Sequence, residues 1–309
     1  MRRSRVLGAV LMTMAGLAVP VAGGTLYDFE TPAYSGSPTG TSIAGQNGWT
    51  TPTGAASVYT YAANAPGLAV NPNGGAQFLG IVQANPNPNT ASPASRGRQS
   101  LDLSTSNLWM FSYDLIAASP GVTEAADSNV FNFASIPILD NGVGSATGGV
   151  MLSQLLIWDT SALNATYTYE LLGTDATNSG QFFATPGGTS SAFNHLIQDH
   201  WYHIVLVMDL TTNTLTQESI TDLTLGGPTN SYGTPTNFFL DGGQNNRRTT
   251  TQFGLTVIGN FVNGSQNQAG LDNVAVTDLN GTSVPEPATI LLSAFGLAGL
   301  WVSRRRFRS

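Results

Sequence analysis

Through most of the chain apolar residues recur every second position, the period of a strand with one face buried. The alternation predicts strands at Ser57–Ala62, Ala76–Val82, Leu108–Ala117, Asn129–Leu139, Val150–Trp158, Thr166–Leu172, His200–Leu210, Thr214–Thr221, Thr251–Gly259 and Gly270–Asp278. These stretches are rich in Val, Ile, Thr, Tyr and Phe, which suit a pleated, half-buried surface. Clusters such as Asn71-Pro72-Asn73-Gly74-Gly75 and Asn85-Pro86-Asn87-Pro88-Asn89 lie between them and read as turns. No useful helix-period segment appears away from the two ends. Many short strands with closely spaced turns predict an all-β fold, a jelly-roll β-sandwich. No internal repeat or long linker divides it, so residues 25–280 read as one β domain and 281–284 as a connector.

The ends break the pattern. Met1-Arg2-Arg3-Ser4-Arg5 is basic, Val6 to Val19 is apolar, and Ala22-Gly23-Gly24 is a run of small residues. That order predicts a signal peptide over 1–24 and a mature chain from Thr25. At the other end Pro285-Glu286-Pro287 precedes an apolar stretch, 288–302, and a basic tail, 303–309, with Arg304, Arg305 and Arg306. As a helix 288–302 would span about 22 Å, short of the roughly 30 Å hydrocarbon core. Trp301 and the snorkelling arginines at the interface make up the difference. The arginines hold the C-terminus in the cytoplasm and leave the body outside.

A Pro-Glu-Pro step, an apolar helix and an arginine stop, in that order, resemble the bacterial PEP-CTERM sorting signal. The resemblance covers under a tenth of the chain. It implies transient anchoring in the inner membrane, cleavage near Pro285-Glu286-Pro287 by an exosortase, and delivery to the cell surface or beyond. Such tails accompany exopolysaccharide systems, so the resemblance also implies an extracellular-matrix setting.

Charge agrees with an exported body. There is no lysine, and seven of the eleven arginines lie in the two ends. Between Thr25 and Val284 four arginines stand against seventeen acids, a net charge of −13. Such a surface repels nucleic acid and anionic lipid and attracts divalent cations. With no cysteine, stability must come from an ordinary core.

Three stretches of the body carry a second resemblance. Gln198 to Asp209, followed by Thr211 to Leu215, is similar to the core hairpin of laminin-G-like and concanavalin A-like domains, in which a tryptophan opens a buried strand and an Asp closes it. Leu26-Tyr27-Asp28-Phe29-Glu30, with Gly45 to Trp49, looks like the entry strand of related exported domains, and Gly270 to Val276 like their closing strand. Thr216-Gln217-Glu218 departs from the laminin-G pattern, which has a tyrosine and an Asp-Gly turn there. In related carbohydrate-binding jelly rolls, acids at the positions of Glu30 and Asp272 share a structural calcium ion. The resemblance therefore implies calcium here, with carbonyls as further ligands. Otherwise both residues are edge-strand acids in solvent.

Signals for catalysis are weak. His195, His200 and His203 cluster in sequence, but the odd spacing of His200 and His203 sends them to opposite faces. The body's glutamates, Glu30, Glu124, Glu170 and Glu218, form no acid pair at strand spacing, and no nucleophile elbow or phosphate loop is present. No catalytic residue is assigned. Asp199 and Asp209 read as turn residues. Trp109, Phe111 and Tyr113 share one side of a strand and read as core, whereas Tyr167 and Tyr169 share a face that suits either core or sugar stacking. The expected function is a non-catalytic surface or matrix protein associated with exopolysaccharide. A jelly-roll polysaccharide-degrading enzyme and a self-assembling adhesin are the alternatives.

Overall fold

Valine, isoleucine and aromatic residues at alternate positions build two antiparallel sheets in the computed structural model. It describes residues 24–51, 56–84, 94–101, 103, 105–118, 134–135, 138–140, 150–159, 166–174, 181–233, 238–240, 251–258 and 266–280. In chain order the strands are β1 (Gly24–Tyr27), β2 (Thr41–Ser42), β3 (Ser57–Thr60), β4 (Gln77–Ala84), β5 (Ala94–Leu101) and β6 (Leu108–Ala118). There follow β7 (Ala134–Ser135), β8 (Ile138–Asp140), β9 (Val150–Asp159), β10 (Thr166–Thr174), β11 (Gln181–Ala184) and β12 (Leu196–Ile197). The last are β13 (Tyr202–Asp209), β14 (Thr214–Asp222), β15 (Asn230–Tyr232), β16 (Thr251–Ile258) and β17 (Gln266–Asp278).

One sheet runs β15-β14-β13-β6-β17-β4-β3-β2, and the other β11-β10-β9-β7-β16-β5. The chain crosses between sheets from β4 to β5, β5 to β6, β6 to β7, β12 to β13, β15 to β16 and β16 to β17, the connectivity of a jelly-roll sandwich. The first strand meets the last: β1 pairs with β17 from Gly24↔Thr277 to Tyr27↔Val274. All ten strand segments expected from the alternation contain strand; in Asn129–Leu139 the described residues belong to the short β7 and β8. The signal peptide, the Pro-Glu-Pro step, the predicted helix 288–302 and the arginine tail lie outside the described residues. Among the described residues no helix is long and apolar enough to cross a membrane.

The core fills the space between the sheets. Trp109, Phe111, Tyr113 and Leu115 of β6 face inward with Tyr167, Tyr169 and Leu171 of β10, all buried. A hydrogen bond of 3.0 Å joins the hydroxyls of Tyr113 and Tyr169 across the sandwich. Each large apolar side chain buried this way contributes roughly 1.5–3 kcal/mol, and with no disulfide this burial is the main stabilising term. A second cluster covers the outer face of the larger sheet: Tyr59, Tyr61, Leu68, Phe78, Ile116 and Trp201. Trp201, expected to open the buried strand, belongs to this outer cluster. Its Nε1 donates to the Ala69 carbonyl at 2.7 Å and pins the β3–β4 loop over the sheet.

Two irregularities set the positions of key acids. The pairing of β13 with β14 shifts between Val207 and Met208, so that Met208 faces Leu215 while Val207 faces Gln217. The extra residue, Thr216, sends Thr216 and Gln217 outward and turns the fully buried Glu218 into the core. In β17 the pairing with β6 shifts between Asp272 and Ala275, and Asn273 takes a positive φ of 48°.

Candidate functional site

The bulge in β17 leaves Asp272 directly opposite Asp114 on β6, and Asp114 is opposite His203 on β13. Residues facing each other across adjacent antiparallel strands point to the same side. The three thus form a row on the outer face of the larger sheet, beside the outer aromatic cluster. Both carboxylates are sealed: Asp114 is 1% exposed and Asp272 is 0% exposed.

The β3–β4 loop supplies most of what satisfies them. Asn71 Nδ2 donates to Asp114 Oδ2 at 2.8 Å and to Asp272 Oδ2 at 3.3 Å, tying the two acids through one amide. The Tyr61 hydroxyl donates to Asp272 Oδ2 at 2.7 Å. Asn273 gives its backbone N–H to Asp272 Oδ1 at 2.8 Å and its Nδ2 to Asp114 Oδ2 at 2.8 Å. The same Nδ2 reaches the Asn73 carbonyl at 3.1 Å. His203 Nδ1 lies 2.7 Å from Asp114 Oδ1, with the imidazole 36% exposed. Burial pushes the Asp272 carboxyl up to about 7; the bonds from Tyr61, Asn273 and Asn71 oppose the rise, and the Asp114 charge adds to it. Tyr61 moves upward as well, first through burial and then through the Asp272 charge.

Glu30 arrives at the other side of the same loop. Its Oε1 accepts the N–H groups of Ala76 at 2.6 Å and Gln77 at 2.8 Å. Between the acids lie two glycines. A Cβ on Gly74 would overlap Asp272 Oδ2, and one on Gly75 would overlap Glu30 Oε1. The structure therefore brings Glu30 and Asp272 to one glycine pair, and it removes Asp272 from solvent, where an edge-strand acid would sit. The donors there are carboxylates and neutral oxygens, the chemistry of a hard cation. No group of three His, Cys, Asp or Glu placed to hold a metal is found among the described residues.

Sugar stacking on Tyr167 and Tyr169 is corrected. Tyr167 is 3% exposed and Tyr169 0%, and both face the space between the sheets. Tyr169 packs against Phe193 with ring centroids 4.9 Å apart and bonds to Tyr113, so neither ring offers a face to a ligand. His200 and His203 engage different carboxylates. His200 Nδ1 is 2.9 Å from Asp222 Oδ2, so the two imidazoles serve separate hydrogen bonds. Asp199 and Asp209 are turn residues: Asp199 has φ 61°, and Asp209 Oδ1 accepts the Thr211 N–H at 2.7 Å. The sequence reading missed Asp114, Asn71 and Tyr61. The one available signal was Asp114 itself, an acid inside the apolar run of β6 on the opposite phase to Trp109, Phe111 and Tyr113.

The fold is a jelly-roll sandwich, all-β with antiparallel sheets. Residues 283–306 match the PEP-CTERM protein-sorting motif, which implies export and a C-terminal membrane-anchoring region. No curated protein matches the chain. Among solved structures, lectin II from Ulex europaeus is similar at 9% identity and a TM-score of 0.43, over 83% of this chain and 98% of that one. Peanut lectin is similar at 12% identity and 0.40, over 83% and 97%. A PL-14 alginate lyase from Aplysia kurodai is similar at 12% identity and 0.44, over 76% and 88%.

Proposed function

We propose that this chain is a non-catalytic component of the cell surface or extracellular matrix that associates with exopolysaccharide. It crosses the inner membrane, is held there by the 288–302 helix, and is cut by an exosortase near Pro285-Glu286-Pro287. The observation that carries the reading is a sorting motif at 283–306 that follows a sandwich whose last strand ends at Asp278. A net charge of −13 on the body and the absence of lysine disfavour nucleic acid and anionic lipid as partners. Glu30 and Asp272 hold a structural calcium ion in this proposal, supplying charge at a site where Asp272 is otherwise buried beside Asp114. The ion would fasten the first strand to the last and to the β3–β4 loop.

A second reading, polysaccharide cleavage, draws on one observation. Asp114 holds His203 through Nδ1, which leaves the half-exposed imidazole a free Nε2 edge of the kind used in general-base chemistry. Gel retardation of the full chain in the host's exopolysaccharide, with product analysis, separates the two. Retardation without fragments supports the binding module; fragments that vanish in His203→Gln support the enzyme. No retardation and no fragments would overturn both. Loss of retardation, or a lower melting temperature, on adding chelator would support the calcium ion, and indifference to chelator would remove it.

A further inference from the structure

A concavity lies on the outer face of the larger sheet, at the end where β6 finishes, and none of the roles above uses it. It has a volume of about 210 Å³ and is lined by Pro66 and Leu68 of the β3–β4 loop, Ala118, Gln198 and Asp199 before β13, and Gln268 of β17. Its walls are fixed in place. Asn64 Oδ1 accepts the Leu68 N–H at 2.9 Å, and Asn64 Nδ2 donates to the Tyr61 and Leu68 carbonyls at 3.0 Å each. Trp201 holds the Ala69 carbonyl. Opposite that loop Asp199 adopts φ 61°, donates its N–H to the Ala117 carbonyl at 2.9 Å, and accepts the Ala69 N–H on Oδ1 at 3.2 Å. An aspartate held in the left-handed region by main chain on both sides presents its second oxygen in a set direction.

We infer that this concavity is a subsite for one ring of a neutral, hydroxyl-rich glycan, an inference that rests on the proposed association with polysaccharide. A fixed carboxylate oxygen accepts from sugar hydroxyls, and the Gln198 and Gln268 carboxamides both give and accept. Pro66 and Leu68 add an apolar wall for the C–H face of a ring. The volume is below the roughly 300–1,000 Å³ typical of drug-sized ligands, which favours a single ring over an oligosaccharide. Charge decides the class of sugar. No Arg, Lys or His lines the concavity, so nothing there neutralises a uronate, and Asp199 repels one. The net charge of −13 on the body acts the same way at longer range.

The test uses the full chain in mild detergent, in affinity gels cast with the host's exopolysaccharide, with neutral glycans (dextran, a galactomannan, a β-glucan) or with polygalacturonate. At least one neutral glycan should retard the wild type and polygalacturonate should not. Asp199→Asn keeps the turn and the acceptor for Ala69 and should weaken retardation about tenfold, the size of one hydrogen bond to a charged group, at an unchanged melting temperature, and Gln268→Leu should weaken retardation as well. Independently of variants, the Ala69 and Asp199 amides should exchange more slowly when that glycan is bound. Retardation unaffected by both variants, with no change in those amides, overturns the subsite and leaves the polysaccharide reading standing. Retardation by polygalacturonate alone overturns the neutral class. No retardation in any gel overturns the polysaccharide reading and the subsite with it.

Discussion

Glu218 is a buried acid whose position costs the core free energy. It is fully buried, and neither of its carboxylate oxygens has a hydrogen-bond partner. Burial pushes its carboxyl up to about 8, so it is held neutral at pH 7. Asp272 is raised to about 7 for the same leading reason. Both folded values exceed the ordinary carboxylate range, so the folded state binds more protons than the unfolded chain between about pH 4 and 8. Stability from this source is complete below that window and is lost as pH rises through 7 and 8. With chelator present, so that no ion holds Asp272 charged, the melting temperature should therefore fall from pH 5 to pH 9. Glu218→Gln should flatten that slope, with a gain over wild type at pH 9 on the order of a few kcal/mol. Parallel slopes for variant and wild type in thermal melts across that range would show that Glu218 is not held neutral.

At the scale of elements, the β3–β4 loop is a strap across the outer face of the larger sheet, and it works through contacts a sequence does not display. Asn71 holds both acids with one amide, so Asn71→Ala leaves two buried carboxylates short of a donor and should cost about 1–3 kcal/mol in urea unfolding at pH 8. The same variant should lose less at pH 5, where Asp272 carries its own proton. Gly74→Ala and Gly75→Ala each place a methyl against a carboxylate oxygen and should destabilise by at least 1 kcal/mol. Gly227→Ala meets only ordinary contacts at 3.8 Å and should be neutral. Equal melting temperatures for all three variants would mean that the loop does not pack on these acids. Period-two alternation found β4, β6, β9, β10, β13, β14, β16 and β17; where side chains are described, as in β6, β10, β13, β14 and β17, the strand has a face to bury. It missed β5, where Arg96 and Arg98 interrupt the run and the core-facing position is Gly97. Packing explains that choice: a Cβ there would lie 2.9 Å from Ala56 Cβ, so the site cannot take the large apolar residue that a reader of patterns looks for. Glu218 escaped for a related reason, since the bulge at Thr216 reverses the alternation that would have put it outside. For Tyr167 and Tyr169 the alternation gave the shared face correctly, but period alone does not say whether a face meets solvent or a second sheet.

For the whole molecule, the body and its address are separable in principle. Gly24–Gly281 forms one compact unit with its own core, and the first strand is already paired with the last inside it. Deleting 285–309 should therefore leave a fold with the melting temperature of the full chain while moving the protein from the membrane fraction to the soluble exported fraction. Replacing Pro285, Glu286 and Pro287 with alanine should do the opposite. The apolar run and its arginine stop persist, so the chain inserts, but the step that the exosortase resemblance assigns to cleavage is gone. Full-length protein should then accumulate in the inner membrane, and the shorter surface form should disappear from blots of fractionated cells. If the alanine variant is still shortened and exported like wild type, the Pro-Glu-Pro step is not the cleavage signal. If the truncated chain instead melts well below the full chain, the tail contributes to the fold and cannot be an address alone.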